Sequence, residues 1–211
     1  MSEKFYAVLT GDIVKSRELS ANQSKALQNR LKSTAQEFES VFPGSVVGAL
    51  GITRGDGWQV ALQKPEYALR LALFLRVIVK SEFKTDTRVS IGIGPVDRLE
   101  PNNIIESTGL AFERSGHGLE SISAKRFLVF NTGKIADRIQ SAELLLVEWL
   151  DTLLSCASVA QVPLLTLSLL EHKQVRIAQV TGYAQSTVSE GLAAAGWGQI
   201  KGILHHFEKY R

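Results

Sequence analysis

One cysteine, Cys156, is present among 211 residues, which excludes an internal disulfide. The stretch Leu153-Leu154-Ser155-Cys156-Ala157 reads as apolar helix, so a buried, inert thiol is expected there. No N-terminal stretch joins a basic start to an apolar run and a cleavage site, and no apolar run reaches membrane-spanning length. The expectation is a cytoplasmic protein with no membrane partner. Neither sign of charge dominates: 24 Lys and Arg stand against 21 Asp and Glu, for a net charge of +3. The basic residues are dispersed, which permits nucleic-acid binding without requiring it. Repeats, low-complexity tracts and long linkers are absent. What remains is a chain 45% hydrophobic and 21% charged, long enough for one substantial domain plus a small one.

The apolar run at 5–10 reads as a strand closed by Gly11-Asp12. Ser20 and Gln23 have the spacing of a capping box, and Leu27, Leu31, Ala35, Phe38 and Phe42 follow at helical spacing until Pro43-Gly44 ends the run. Segments 46–54 and 58–62 form a hairpin around Gly55-Asp56-Gly57. Pro65 opens a second helix, with Leu69, Leu73, Phe74 and Val77 on its apolar face, and Val89, Ile91 and Ile93 alternate with smaller residues as in a strand. The order βαββαβ predicts an α+β, ferredoxin-like sheet with its helices on one face. A passage containing Gly109, Gly116 and Gly118 takes no clear element, 127–130 is a further short strand, and Asn131-Thr132-Gly133 is a turn. From Lys134 the texture is helical, with Ile139, Leu145, Trp149 and Leu153 on one face of a long helix. The expected organisation is a sheet domain at 1–133, a connecting helix at 134–161 and a small all-α domain at 162–211. Within the last, helices are expected at 163–172, 175–181, 185–195 and 200–210.

Asp12 and Asp56 both stand where a strand is expected to end, the edge at which α/β sheets commonly bind ligands. Mg²⁺ or Mn²⁺ prefers hard oxygen donors and is usually held by one or two carboxylates together with substrate phosphates. Two aspartates on adjacent strands suit such a metal–nucleotide site. The plain alternative is that both are turn-formers, since Asp-Gly is also a hairpin signal.

Three segments carry a family resemblance: Asp12-Ile13-Val14-Lys15-Ser16-Arg17, Ile52-Thr53-Arg54-Gly55-Asp56-Gly57-Trp58-Gln59 and Gly92-Ile93-Gly94-Pro95-Val96. Their order and spacing resemble the nucleotidyl-cyclase superfamily, which includes class III adenylyl and guanylyl cyclases and GGDEF domains. The set is most similar to SatD-type bacterial proteins, which add a C-terminal helix-turn-helix. The resemblance implies a cyclase-type palm in which Asp12 and Asp56 bind the metal and the backbone of Ile13, Val14, Lys15 and Ser16 lies against a nucleoside triphosphate. Arg17 and Arg54 would add positive charge beside it, and a homodimer is implied. Two departures stand out. Ile52 occupies a place where purine-selecting cyclases often carry Lys, and 109–119 matches the late cyclase helix only loosely, with Glu113 and His117 near its Asn and Arg places. Arg114 is the candidate substitute cation there, the alternative being that Arg114 and His117 are an exposed loop pair.

The segment 174–189 is similar to a helix-turn-helix, with small Ala178 at the crossing, Gly182 in the turn and Val188 on the inner face. Gln185, Ser186, Thr187 and Ser189 would begin a recognition helix able to read base edges in duplex DNA. That helix contains Glu190 and neither Lys nor Arg, so phosphate contacts would fall to Lys173, Arg176 and Lys201 around it. The alternative is a dimerisation or docking module. Two functions result: a nucleotide- and metal-sensing transcriptional regulator, or a divergent nucleotidyl cyclase or nucleotidyltransferase whose C-terminal module serves dimerisation. A purely structural interaction protein is the third.

Overall fold

The computed structural model describes residues 4–53, 55–123, 125–131 and 138–209. Arg54, Thr132 and Gly133 lie outside the described residues, as does the side chain of Ile139. The strands are β1 (Tyr6–Ile13), β2 (Val46–Ile52), β3 (Gly57–Leu62), β4 (Thr87–Gly94) and β5 (Leu128–Asn131). The α-helices are α1 (Ala21–Val41), α2 (Ala68–Phe83), α3 (Leu110–Glu120), α4 (Arg138–Cys156), α5 (Val162–Leu169), α6 (Gln174–Thr181), α7 (Gln185–Ala194) and α8 (Trp197–Lys209).

The sheet order is β2-β3-β1-β4-β5. The first four strands pair antiparallel throughout, as a ferredoxin-like βαββαβ unit requires. β5 joins β4 in parallel, and the crossover between them is α3. The passage of glycines is therefore helix, and it changes the layering: the sheet is covered on both faces, not on one. Ala7, Leu9, Ile13, Val60 and Ile91 share a core with α1 and α2. Val8, Val47 and Ala61 point the other way and pack with Ile104, Ala111 and Phe112. Gly92 is what lets α3 approach, since a Cβ there would sit 2.3 Å from the Ala111 carbonyl oxygen.

α1 begins at a true capping box, with Ser20 Oγ accepting from the Gln23 N–H and the Gln23 side chain accepting from the Ser20 N–H. β1 runs on through Gly11 and Asp12, so Asp12 lies inside the strand and not after it. On α4 the buried residues are Val147, Leu150 and Leu154, whereas Leu145 and Trp149 are exposed. Apolar residues surround this helix, and buried Asp151 selects the inward face by pairing with Arg76. Cys156, at the end of α4, is exposed, contrary to the sequence expectation, because its position falls on the solvent side of that face.

The core continues without a break from the sheet into α4, α5, α7 and α8. Two buried arginines on α2 fasten the joint. Arg70 donates to both carboxylate oxygens of Glu208 on α8 and to the Leu169 carbonyl on α5. Arg76, fully buried, bridges Asp86 before β4 and Asp151 on α4. Among the described residues no helix is long and apolar enough to cross a membrane.

Candidate functional site

Asp12 has Gly57 of β3 as its cross-strand neighbour on one side and Arg88 of β4 on the other. Asp56 directly precedes that Gly57, so the two aspartates come together at one end of the sheet. The β1–β3 ladder extends past the strand end, because the Ile13 N–H donates to the Asp56 carbonyl at 3.3 Å.

Gly11 before Asp12 and Gly57 after Asp56 are packing devices, whereas Gly55 has open space where a Cβ would stand and adopts φ of 80°. A Cβ on Gly11 would stand 2.3 Å from the indole of buried Trp58. That indole Nε1 donates to Thr87 Oγ1 at 2.9 Å, and Thr87 Oγ1 donates to the Asp12 carbonyl at 2.7 Å. A Cβ on Gly57 would stand 2.0 Å from Thr53 Oγ1. Close packing on one face of β1 thus fixes the strand whose other face carries Asp12.

Arg88 grips the Asp12 carboxylate with two parallel bonds, Nε to Oδ1 at 2.8 Å and Nη2 to Oδ2 at 2.5 Å. Its guanidinium is held still more firmly in the charged form than usual, first by the hydrogen bond to Asp12, against the opposing effect of burial, and then by the charges of Asp12 and Asp56. Arg88 therefore lies within the field of both carboxylates. Asp56 accepts a 2.5 Å hydrogen bond from Ser16 Oγ.

After β1 the chain turns through Lys15, which has φ of 54° in the left-handed region and leads into the single turn Ser16–Glu18. A non-glycine residue in this conformation is held there by its surroundings, and such residues concentrate at ligand sites. The Val14 N–H donates to the Asp86 carbonyl and the Ile13 N–H to the Asp56 carbonyl, so neither is free to face a phosphate. Ile13 and Val14 line the cleft together with the charged and polar residues Lys15, Ser16, Arg17, Glu18, Asp56 and Arg88.

Two cavities meet here. One, of about 490 Å³, is bordered by Lys15, Arg17, Glu18, Arg88, Asp56 and Phe127. The other, of about 410 Å³, lies between α1 and the β2–β3 hairpin, against Leu19, Leu27, Leu31 and Ile52, with Ser24 and Gln28 as polar groups. Ile13, Ser16, Arg17 and Asp56 border both. The Gln28 side-chain amide donates to the Gly55 carbonyl at 3.3 Å, tying α1 to the hairpin.

Arg114 is not part of this cluster. It lies on α3 and donates through Nη1 to the Ile93 carbonyl at 2.5 Å. Ile93 stands opposite Ala7 while Arg88 stands opposite Asp12. That separation along β4 is roughly 17 Å of strand. The other sequence candidates lie on the C-terminal helices. Arg176, Gln185, Ser186, Thr187, Ser189 and Lys201 are all exposed, on α6, α7 and α8. α6 and α7 are joined through Gly182 at φ 74°, with Ile177 and Val188 buried between them.

Arg88 is the residue that sequence reasoning missed. Its signal was present only in the register: antiparallel pairing of β1 with β4 puts it beside Asp12. Two carboxylates with a serine hydroxyl are hard oxygen donors of the kind Mg²⁺ and Mn²⁺ accept when phosphate and water complete the shell. Among the described residues no group of three or more His, Cys, Asp or Glu gathers to hold a metal by itself. The donor set thus fits a cation that arrives with a phosphate ligand.

No protein-family model matches the sequence, and no curated protein does. Among solved structures, a bacterial light-regulated adenylyl cyclase is similar over 60% of this chain and 42% of its own, at 16% identity and a TM-score of 0.43. This chain therefore spans less than half the length of that protein.

Proposed function

We propose that the cleft binds a nucleoside polyphosphate together with Mg²⁺ or Mn²⁺, and that the protein is a divergent nucleotidyl cyclase or nucleotidyltransferase. The observation that carries this reading is the junction of the two cavities at Ser16, Arg17 and Asp56. A charged end and an apolar end sharing one wall match a ligand with the same two ends. Lys15, Arg17 and Arg88 would receive the phosphates, and the apolar cavity beside Leu27, Leu31 and Ile52 would receive the base. Asp12 and Asp56 would hold the cation, which when bound neutralises phosphate charge and so favours attack at phosphorus. The chain's own contribution is to position the phosphates and exclude water from the apolar half.

The test is thermal stabilisation by a panel of nucleoside triphosphates with Mn²⁺, followed by product analysis. A ligand at about a hundred times its Kd should stabilise the protein by about 2.7 kcal/mol. The reading expects that gain in the wild type and, in Asp12→Asn and Asp56→Asn, loss of the part of it that depends on Mn²⁺. Equal stabilisation of wild type and both variants overturns it.

A second reading concerns α6 and α7. The exposure of Gln185, Ser186, Thr187 and Ser189 on the first turns of α7, behind a glycine turn, favours contact with duplex DNA. Arg176 and Lys201 would supply phosphate contacts, so Arg176→Ala should lower the salt slope of binding by about one while Gln185→Ala leaves it unchanged. Absence of duplex binding by the full chain at low salt refutes this reading.

A further inference from the structure

We infer that Arg88 and a divalent cation compete for the Asp12 carboxylate, and that the guanidinium released in this exchange becomes a phosphate ligand. This rests on the proposed metal–nucleotide reading and adds a residue and an order of events to it.

The geometry sets up the competition. Arg88 occupies both oxygens of Asp12 with bonds of 2.8 and 2.5 Å, the bidentate arrangement that satisfies a carboxylate most fully. A cation approaching Asp12 meets a positive group already in place, and Asp56 offers only one further carboxylate. Arg88 is nonetheless not locked. Its side chain is 36% exposed, and it forms part of the wall of the 490 Å³ cavity together with Lys15 and Arg17. Leaving Asp12 requires only side-chain rotation into a space bordered by two other cations. Phosphate oxygens are the partners that a guanidinium fork engages as well as it engages carboxylate.

Charge balance makes the exchange directional. Replacing Arg88 by a divalent cation at Asp12 leaves Lys15, Arg17 and Arg88 around one cavity whose acidic residues are Glu18, paired with Lys15, and Asp56, beside the cation, so the wall is net positive and favours a polyanion. A polyphosphate in that cavity in turn draws Arg88 away from Asp12 and opens the carboxylate. Cation and polyphosphate should therefore bind with positive coupling through Arg88, each raising the affinity of the other by the same factor.

The experiment uses the full chain and two probes, Mn²⁺ alone followed by its electron paramagnetic resonance, and inorganic triphosphate in the presence of chelator followed by calorimetry. Arg88→Gln should bind Mn²⁺ at least tenfold more tightly than the wild type and bind triphosphate more weakly. Asp12→Asn should do the reverse, losing Mn²⁺ while binding metal-free triphosphate more tightly, because Arg88 is freed. Arg88→Lys, which keeps the charge without the fork, should fall between wild type and Arg88→Gln and serves if the glutamine variant does not fold. Wild type that binds Mn²⁺ with nucleotide, beside an Arg88 variant whose Mn²⁺ affinity is unchanged, overturns the exchange and leaves the nucleotide reading standing. Absence of Mn²⁺ and triphosphate binding in wild type and all variants overturns both.

Discussion

At Gly11 a methyl group would press 2.3 Å from the Trp58 ring, and the ring has no free direction because its Nε1 is bonded to Thr87. Gly11→Ala should therefore cost about 1–3 kcal/mol, the usual penalty of overpacking a filled core. Urea unfolding measures it, and a loss under half a kilocalorie would show that the indole moves aside. The same substitution should weaken Mn²⁺–nucleotide binding, since Thr87 connects the indole to the Asp12 carbonyl. At this scale the sequence was informative about residue type and silent about neighbours. Asp12 and Asp56 stood out because each follows a glycine where a strand is expected to end. Arg88 did not, because an arginine beginning a strand looks like any surface charge until the pairing of β1 with β4 is known. For Arg114 the charge was legible, but its placement near Ile93 depended on where α3 crosses the sheet.

The end of α1 and the start of β2 are joined by one carboxylate. Glu39 accepts from the N–H groups of Gly44, Ser45 and Val46 at 2.6, 3.0 and 2.7 Å, and from Ser45 Oγ at 3.2 Å. Burial pushes its pKa up, yet these donors together outweigh it and hold the carboxyl below the ordinary value. A folded-state pKa below the unfolded one means stability that is complete above the unfolded value and is lost as the pH falls through the folded value. Glu39→Gln should cost about 1–2 kcal/mol at pH 7, with the difference from wild type shrinking in acid. Urea titrations at pH 7 and pH 3 check this, and a difference that does not shrink in acid removes the carboxylate from the account. Elements were legible where signals were local. The capping box of α1, Pro65 before α2 and the Gly55–Gly57 hairpin all stand where the sequence indicated. α3 was obscured because Gly116 and Gly118 weaken a helical pattern, although Gly118 is there to meet Ser90 of β4. The inward face of α4 was obscured because apolar residues lie all around it, and the Arg76–Asp151 pair selects between them.

Across the molecule, sheet and C-terminal helices share one core, the feature least legible from sequence. The change in texture at Lys134 suggested separate modules, and no local pattern marked Arg70 and Arg76 on α2, both of them buried. Their partners Glu208, Asp86 and Asp151 lie far along the chain or on other elements, where periodicity carries no signal. One consequence reaches the cleft. Asp86, which holds Arg76 through its carboxylate, also accepts the Val14 N–H through its carbonyl, so the wall of the charged cavity is continuous with the support for α4. The central claim is that a cation and a nucleotide meet at Asp12 and Asp56. Its most direct test is titration of the ¹⁵N-labelled chain with Mn²⁺ and a nucleoside triphosphate, reading paramagnetic broadening of amide signals. The account predicts that Gly11, Asp12, Asp56, Gly57 and Arg88 broaden first, while residues of α7 and the Arg114 end of α3 stay sharp. Broadening centred elsewhere, or unchanged in Asp56→Asn, would contradict it.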